Sequence, residues 1–300
     1  MKLTDLQLSQ VDAQIKRLIR TDSYYGKIYK EAGITGVSSQ EEFEQLPFSS
    51  KADLRNAYPL GIQAVPDEEV VRIHSSSGTT GKPVIIPYTA KDVDDWAIMF
   101  ARCYETAGIT NKDHIQITAG YGLWTAGIGF QAGCEKLGAM AIPMSAGNTK
   151  RQLMCMEDFG ATAFACTPSY ALYLGEAARE AGVVDRLQLK AGINGAEPWT
   201  DEMRRKIEEL LNVNSFDIYG LCEITGPGVA LDCIHHKGMH VQEDYFYPEV
   251  LNPTDHTPCK DGETGELVFT TLVKEGMPAL RYRTKDLTSI DHSKCECGRT

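Results

Sequence analysis

Residues 75–83 read Ser-Ser-Ser-Gly-Thr-Thr-Gly-Lys-Pro, a run of hydroxyls and glycines that closes on one lysine. Gly78 and Gly81 permit positive φ and let backbone come close to a ligand. Ser77, Thr79 and Thr80 offer hydroxyls and free N–H groups, and Lys82 adds a point charge. That combination suits the oxygens of a polyphosphate. A Walker-type loop is excluded by spacing. Two residues, not four, separate Gly78 from Gly81, and Pro83 stands where the Mg-binding Ser/Thr belongs. By composition alone, a plain Gly/Ser/Thr surface turn is the alternative.

A second constellation is Cys233, His235, His236 and His240, followed much later by Cys295-x-Cys297. Three thiolates and one imidazole would make a closed, structural, tetrahedral zinc site, with any of the three histidines as the nitrogen ligand. Free cytosolic thiols are the alternative. Cysteines 103, 134, 155, 166 and 259 show no partner spacing and read as small buried apolar residues.

These groups need a scaffold. The runs Val70-Val-Arg-Ile73 and Val84-Ile-Ile86 are β-branched and read as strands, so the hydroxyl-rich loop turns a hairpin. The first sixty or so residues read helical. Thr4-x-x-Gln7 has capping-box form before Leu8, Val11, Ile15 and Leu18, and Ser39-x-x-Glu42 and Ser50-x-x-Asp53 start two more helices. Thr89-x-x-Asp92 opens a helix to about residue 107. Beyond it, strands at 115–118, 139–143, 163–166, 189–193 and 215–219 alternate with helices at 126–137, 148–158, 169–181 and 200–211. Such alternation predicts βαβ units and a parallel sheet, whose ligands bind off the carboxyl ends of the strands. Short extended pieces at 229–233, 240–243, 267–272 and 282–290 follow. The expected organisation is therefore a helical segment 1–69, an α/β core 70–227 and a β segment 228–300 that carries the zinc candidates.

Composition narrows the function. Three hundred residues, 42% of them hydrophobic, fit a soluble globular protein of one large or two ordinary domains. Forty-one acids against thirty bases give a net charge of −11, which argues against sequence-independent nucleic-acid binding. No apolar run reaches the roughly eighteen residues of a membrane span, and the N-terminus has no signal-peptide core. Nine cysteines, an odd number, without a secretory signal point to a reducing cytoplasm.

Four pieces follow the hydroxyl-rich loop in order. They are Gly195-Ala-Glu197-Pro-Trp199, Asp217-Ile-Tyr219-Gly220-Leu-Cys222-Glu223, Gly265-Glu266-Leu-Val-Phe and Arg281-Tyr-Arg283-Thr-Lys-Asp286. With that loop, this series resembles the adenylate-forming ligase superfamily, and within it the phenylacetate–coenzyme A ligase branch. The resemblance covers nearly the whole chain. It implies the large N-terminal domain of an adenylate-forming enzyme, an α/β fold with a mostly parallel sheet flanked by helices and a smaller β subdomain. The family's small C-terminal lid domain, with its second catalytic lysine, is expected to be absent from this chain.

The resemblance also implies chemistry. An aryl acid would attack the α-phosphorus of ATP, and coenzyme A would then displace AMP from the acyl-adenylate. Ser77, Gly78, Thr79, Thr80, Gly81 and Lys82 would cradle the phosphates. Gly195, Ala196 and Glu197 would frame the adenine, Tyr219 and Gly220 would face it, and Asp286 would accept from the ribose hydroxyls. A surface ion pair with Arg281 or Arg283 is the other reading of Asp286. Glu223 resembles the Mg²⁺-binding glutamate, although Cys222 stands where the family usually has a hydroxyl residue. Tyr121, Trp124 and Phe130 would line an apolar slot for the aryl ring, with core packing as the alternative and Trp124 in place of the family's usual phenylalanine. A Gly-x-His pattern in the family favours His240 as the zinc histidine, beside Cys233, Cys295 and Cys297. A homodimer is the expected assembly. Another acid or acceptor, or a catalytically silent nucleotide- or zinc-binding scaffold, are the competing functions.

Overall fold

Thr4, Ser39, Ser50 and Thr89 open helices as their spacing predicts. Thr4 Oγ1 accepts the Gln7 N–H at 3.2 Å while Gln7 Oε1 accepts the Thr4 N–H at 3.0 Å. The Ser39 hydroxyl accepts from Glu42, the Asp53 carboxylate takes the Ser50 N–H at 2.9 Å, and Asp92 and Thr89 cap each other at 3.1 Å. Each pair satisfies N–H groups that the first helical turn leaves without partners.

The structure, a computed structural model, describes residues 2–76 and 81–299. It begins with helices α1 (Asp5–Leu18), α2 (Tyr24–Glu31), α3 (Gln40–Glu44) and α4 (Lys51–Asn56). A hairpin of β1 (Val70–Ser75) and β2 (Ile85–Thr89) leads into α5 (Ala90–Thr106). Then come β3 (His114–Ile117), α6 (Ala126–Leu137), β4 (Met140–Pro143), α7 (Thr149–Asp158), β5 (Ala163–Cys166) and α8 (Pro168–Glu180). After β6 (Ala191–Gly195), α9 (Asp201–Leu211) and β7 (Asn214–Leu221), only strands follow: β8 (Gly226–Asp232), β9 (Met239–Val241), β10 (Phe246–Leu251), β11 (Gly265–Thr271) and β12 (Tyr282–Thr288). No helix among the described residues is long and apolar enough to cross a membrane.

The chain divides into two compact units, Met1–Val93 with Gln242–Lys294, and Asp94–Val241 with Cys295–Arg299. The second holds a seven-stranded sheet in the order β4-β3-β5-β6-β7-β8-β9. Its first five strands are parallel, and β8 and β9 run antiparallel. The sequence placed β8 and β9 in the β segment from residue 228, but both extend this large sheet. On one side Leu153, Met156, Leu174, Ile207 and Leu211 of α7, α8 and α9 form a core with Phe164 of β5. Elsewhere in this unit Phe100 of α5 packs on Phe130 of α6 at 4.9 Å. The two helices approach closely because Gly133 has no side chain; a Cβ there would lie 2.2 Å from Phe100. The mixed α/β fold with a parallel-rich sheet is thus the one the alternating pattern predicts.

In the first unit, α1, α2 and α3 bury Val11, Ile15, Leu18, Tyr25, Tyr29 and Phe43 against Tyr247, Leu272 and Leu280. Besides the β1–β2 hairpin, this unit holds the antiparallel sheet β10-β11-β12. The strand β10 was not foreseen from the sequence. The Tyr25 hydroxyl shares a 2.6 Å hydrogen bond with Ser49, whereas the Tyr29 hydroxyl is buried without a partner among the described residues.

Two stability predictions follow from these polar groups. Tyr29→Phe removes a dehydrated hydroxyl, so it should leave stability unchanged or raise it by up to about 1 kcal/mol, while Tyr25→Phe should cost about 1 kcal/mol; urea unfolding checks both. Asp113, 4% exposed, accepts from Lys190 Nζ at 2.9 Å, Thr162 Oγ1 at 2.8 Å and the Thr110 N–H at 2.7 Å. Burial pushes this carboxyl up, but those donors outweigh it and hold it below its ordinary value. A carboxylate held low stabilises the fold above its unfolded pKa, and that stabilisation is lost as pH falls below that value, about 3.9, and through the lower folded one. Asp113→Asn should therefore cost about 1–3 kcal/mol at pH 7, and its deficit relative to wild type should shrink as unfolding is measured at progressively lower pH.

Candidate functional site

The strands that flank the hydroxyl-rich segment pair as their sequence predicts. Ser75 pairs with Ile85 across the β1–β2 hairpin. One step further, the Ser76 N–H donates to Val84 O and the Val84 N–H to Ser76 Oγ, both at 3.0 Å. The loop is thereby pinched at its base. Ser77, Gly78, Thr79 and Thr80 lie outside the described residues. Gly81 has φ +139°, a conformation that L side chains rarely adopt. Lys82 is exposed, and its ammonium lies 5.2 Å from the Tyr58 ring centroid.

In the same unit, Asp286 projects from the exposed half of β12. The β11–β12 register shifts between Glu266 and Val268, and Lys285 takes φ +67°. The Asp286 N–H donates to Thr284 Oγ1 at 3.0 Å, and that hydroxyl donates to Leu267 O at 2.8 Å. Arg281 pairs with Glu249 at 2.9 Å and Arg283 Nε lies 3.0 Å from Glu266. Both arginines that could have paired with Asp286 thus have carboxylates of their own.

In the second unit, the two segments expected to meet the adenine leave the carboxyl ends of neighbouring parallel strands β6 and β7. Gly195 ends β6, where a Cβ would lie 2.3 Å from Ile218 O, and Ala196 follows with φ +72°. Glu197 Oε2 accepts the Ser169 N–H at 3.2 Å, at the first turn of α8. Tyr219 is half-buried near the end of β7. Directly after it the β7–β8 register shifts, and a Cβ on Gly220 would lie 2.0 Å from Gly226 O. Cys222 and Glu223 occupy the reversal into β8. Glu223 is 4% exposed, and Cys222 Sγ lies 3.4 Å from Thr125 Oγ1, so the thiol occupies a polar contact where the family usually has a hydroxyl. Burial pushes the Asp217 carboxyl up to about 6, with the neighbouring Asp232 adding to the effect.

Tyr121, Trp124 and Phe130 differ in their surroundings. Tyr121 packs over the start of α6, where a Cβ on Gly127 would lie 2.7 Å from its ring. Burial pushes its phenol up to about 12. Trp124 is half-buried, and its indole lies 3.6 Å from a Cβ built at Gly120. Phe130 is 3% exposed and packed on Phe100, so its ring belongs to the core, as the alternative reading allowed.

The zinc candidates converge. The ligand atoms of Cys233, His240, Cys295 and Cys297 all lie within 4.8 Å of one another. Cys233 Sγ is 3.7 Å from Cys295 Sγ, and Cys297 Sγ is 3.4 Å from His240 Nε2. Bond lengths of about 2.3 Å to sulfur and 2.0–2.1 Å to nitrogen give tetrahedral edges of about 3.8 Å and 3.6 Å, so this donor set fits zinc in both chemistry and spacing. The other two histidines face elsewhere. His236 Nδ1 lies 2.7 Å from Asp232 Oδ2, and His235 Nδ1 lies 3.4 Å from Glu296. Sequence reasoning missed the Asp232–Arg204 pair at 2.7 Å, whose one signal is an acid directly before Cys233.

Comparison with known proteins agrees with this geometry. The profile of the AMP-binding enzyme family matches residues 8–272. The chain is 44% identical to a phenylacetate-coenzyme A ligase of Thermus thermophilus, over 100% of this chain and 68% of that protein. It is 45% identical to a phenylacetate-coenzyme A ligase of Escherichia coli, over 96% of this chain and 67% of that protein. It therefore spans about two thirds of the length of these relatives. Among solved structures, a 2-hydroxyisobutyryl-CoA ligase in complex with 2-HIB-AMP and CoA matches at TM-score 0.92 and 28% identity, over 98% of this chain and 65% of that one. The chain belongs to the AMP-binding enzyme family.

Proposed function

We propose that this chain is the adenylating part of an ATP-dependent aryl acid–coenzyme A ligase, with phenylacetate as the acid. The observation that carries the reading is the pair of segments at the ends of β6 and β7, where Gly195–Glu197 and Tyr219–Glu223 leave adjacent parallel strands. Ligands of α/β sheets bind outside the carboxyl ends of the parallel strands, the side on which both segments lie. Identity of 44–45% to phenylacetate-coenzyme A ligases supports the acid and the thiol acceptor.

The reaction brings two anions together, and positioning and charge supply most of the help. Lys82, with Ser77, Gly78, Thr79, Thr80 and Gly81, would hold the β- and γ-phosphates of ATP. Tyr219 would stack on the adenine that Gly195, Ala196, Glu197 and Gly220 frame. The Asp286 carboxylate would accept from both ribose hydroxyls, a role its exposed place on β12 suits. Tyr121 and Trp124 would border the aryl ring. The substrate carboxylate then attacks the α-phosphorus and pyrophosphate leaves; the coenzyme A thiolate attacks the acyl carbon and AMP leaves. Glu223 would hold Mg²⁺, which takes few carboxylates and completes its shell with water and phosphate oxygens. Bound there, the ion would neutralise triphosphate charge. Zinc in the Cys233–His240–Cys295–Cys297 cluster would be structural, since four protein ligands leave no open position. The nine free thiols fit a reducing cytoplasm.

Thermal unfolding with a non-hydrolysable phenylacetyl-adenylate analogue tests this reading. At a hundredfold excess over Kd it should add about 2.7 kcal/mol of stability, and more than AMP does. A shift equal to that of AMP would keep the nucleotide site and remove phenylacetate; no shift with either in a folded sample would remove the adenylating reading. Lys82→Ala should slow ATP–pyrophosphate exchange by about 10²-fold with little change in unfolding temperature. The purified chain should carry one zinc by elemental analysis, and chelation should lower its unfolding temperature.

A further inference from the structure

Arg204 stands on α9, in none of the segments that define the family resemblance. Its side chain is 13% exposed, and that of Asp232 is 3% exposed. One terminal nitrogen, Nη1, donates to Ser215 O at 2.6 Å and to Asp232 Oδ2 at 2.7 Å. The guanidinium plane lies over the Trp199 ring at 4.6 Å. Asp232 serves both sides of this contact. Its Oδ1 accepts the Asp217 N–H at 2.8 Å, and its Oδ2 lies 2.7 Å from His236 Nδ1. Arg204 Nη1 also lies 2.9 Å from that imidazole nitrogen, so the guanidinium, the carboxylate and the imidazole meet at one point.

The connections lead in two directions. Trp199 closes the Gly195–Trp199 segment, and Ser215 and Asp217 belong to β7, two residues short of Tyr219. On the other side, Asp232 directly precedes Cys233. His236 turns back on it with φ +49°, its N–H donating to Cys233 O at 2.9 Å. One buried, charge-assisted junction therefore fixes both the turn that presents Cys233 and the strand that presents Tyr219.

We propose that Arg204 is a positioning residue that joins the Cys233–His240–Cys295–Cys297 cluster to the adenine side of β6 and β7, so that metal occupancy sets nucleotide affinity. The inference rests on the nucleotide and zinc assignments above. A lysine at this position would keep the charge but not the planar stacking or the donor geometry. A methionine would keep most of the stem and leave Asp232 with His236 and the Asp217 N–H.

The test is a two-by-two comparison on the full chain. AMP affinity is measured by calorimetry, and zinc by elemental analysis, for wild type and Arg204→Met, each zinc-loaded and chelator-stripped. Stripping should weaken AMP binding about tenfold in wild type. Arg204→Met should weaken it about as much while loaded, and stripping the variant should add little. Such non-additivity marks groups that act through one network. If Arg204→Met does not fold, Arg204→Lys supplies the same comparison, with a smaller loss and a partial response to stripping. Equal, additive losses in both proteins, or wild-type affinity indifferent to zinc, would overturn the coupling while leaving the nucleotide reading intact. Absence of AMP binding by loaded wild type would overturn both.

Discussion

The candidate site depends on a close approach between two backbones at the reversal from β7 to β8. A Cβ on Gly220 would lie 2.0 Å from Gly226 O, and one on Gly226 would lie 2.6 Å from the Trp96 ring. Gly226 also takes φ +111°, which L side chains rarely adopt. Glycine at both positions lets the parallel sheet end and turn back within a few residues. The bulge beside Tyr219 re-aims the strand end, as bulges near functional sites commonly do. Glu223 is then carried into the reversal, buried, while β8 runs back toward Asp232 and Cys233. The residues proposed to face the nucleotide and the candidate metal ligand Cys233 thus lie at opposite ends of one short hairpin.

Local chemistry was legible where it is decided locally. The capping pairs at Thr4, Ser50 and Thr89 are reciprocal bonds over three residues, and the spacing alone exposes them. The strands β3 to β7 were legible as apolar runs because parallel strands are covered on both faces. The strand β10 was hidden because Phe246-Tyr-Pro-Glu-Val-Leu251 contains a proline and an acid. The proline is tolerated because β10 is an outer strand of its sheet, and the acid because Glu249 meets Arg281. Neither fact exists before the chain folds. The same holds for β8 and β9, whose short extended patterns say nothing about which sheet they join.

The site was legible in its motif residues and opaque in what holds them. Arg204 lies in Asp201–Leu211, whose charged pattern reads as a solvated helix face. Only its partner Asp232, far along the chain, shows that the guanidinium is buried. Arg281 behaves likewise. It stacks on Phe48 at 4.2 Å, pairs with Glu249 and donates to Leu46 O at 3.2 Å, all with its own φ at +45°. A buried pair of this kind adds little net stability over an apolar substitute, but losing one partner strands the other charge. Its effect is to allow one arrangement of the start of the Arg281–Asp286 segment, as the proposed role of Asp286 would require.

The metal cluster differs from these junctions because its ligands are separated by a long excursion. The chain leaves the second unit after β9 and returns to it at Cys295. The intervening residues fold as β10, β11 and β12 of the first unit, so the return orders only the short tail, at about 1–2 kcal/mol per residue of backbone entropy. Besides the thiol and imidazole contacts of the cluster, Lys237 and His235 hold the tail through Glu296, which is exposed. Exposed pairs contribute at most about 1 kcal/mol each, less than that ordering costs. The tail nevertheless folds its own turn, with the Cys295 N–H on Arg299 O at 2.8 Å and the Gly298 N–H on Cys295 O at 2.9 Å, so both thiols are presented before they dock. Zinc bound there, worth about 10 kcal/mol or more in such sites, would exceed the contribution of those pairs several-fold. On these magnitudes a bound ion, rather than the surface pairs, would decide whether residues 295–299 stay with the sheet. A junction that ties Cys233 to β7 then has a reason to be rigid.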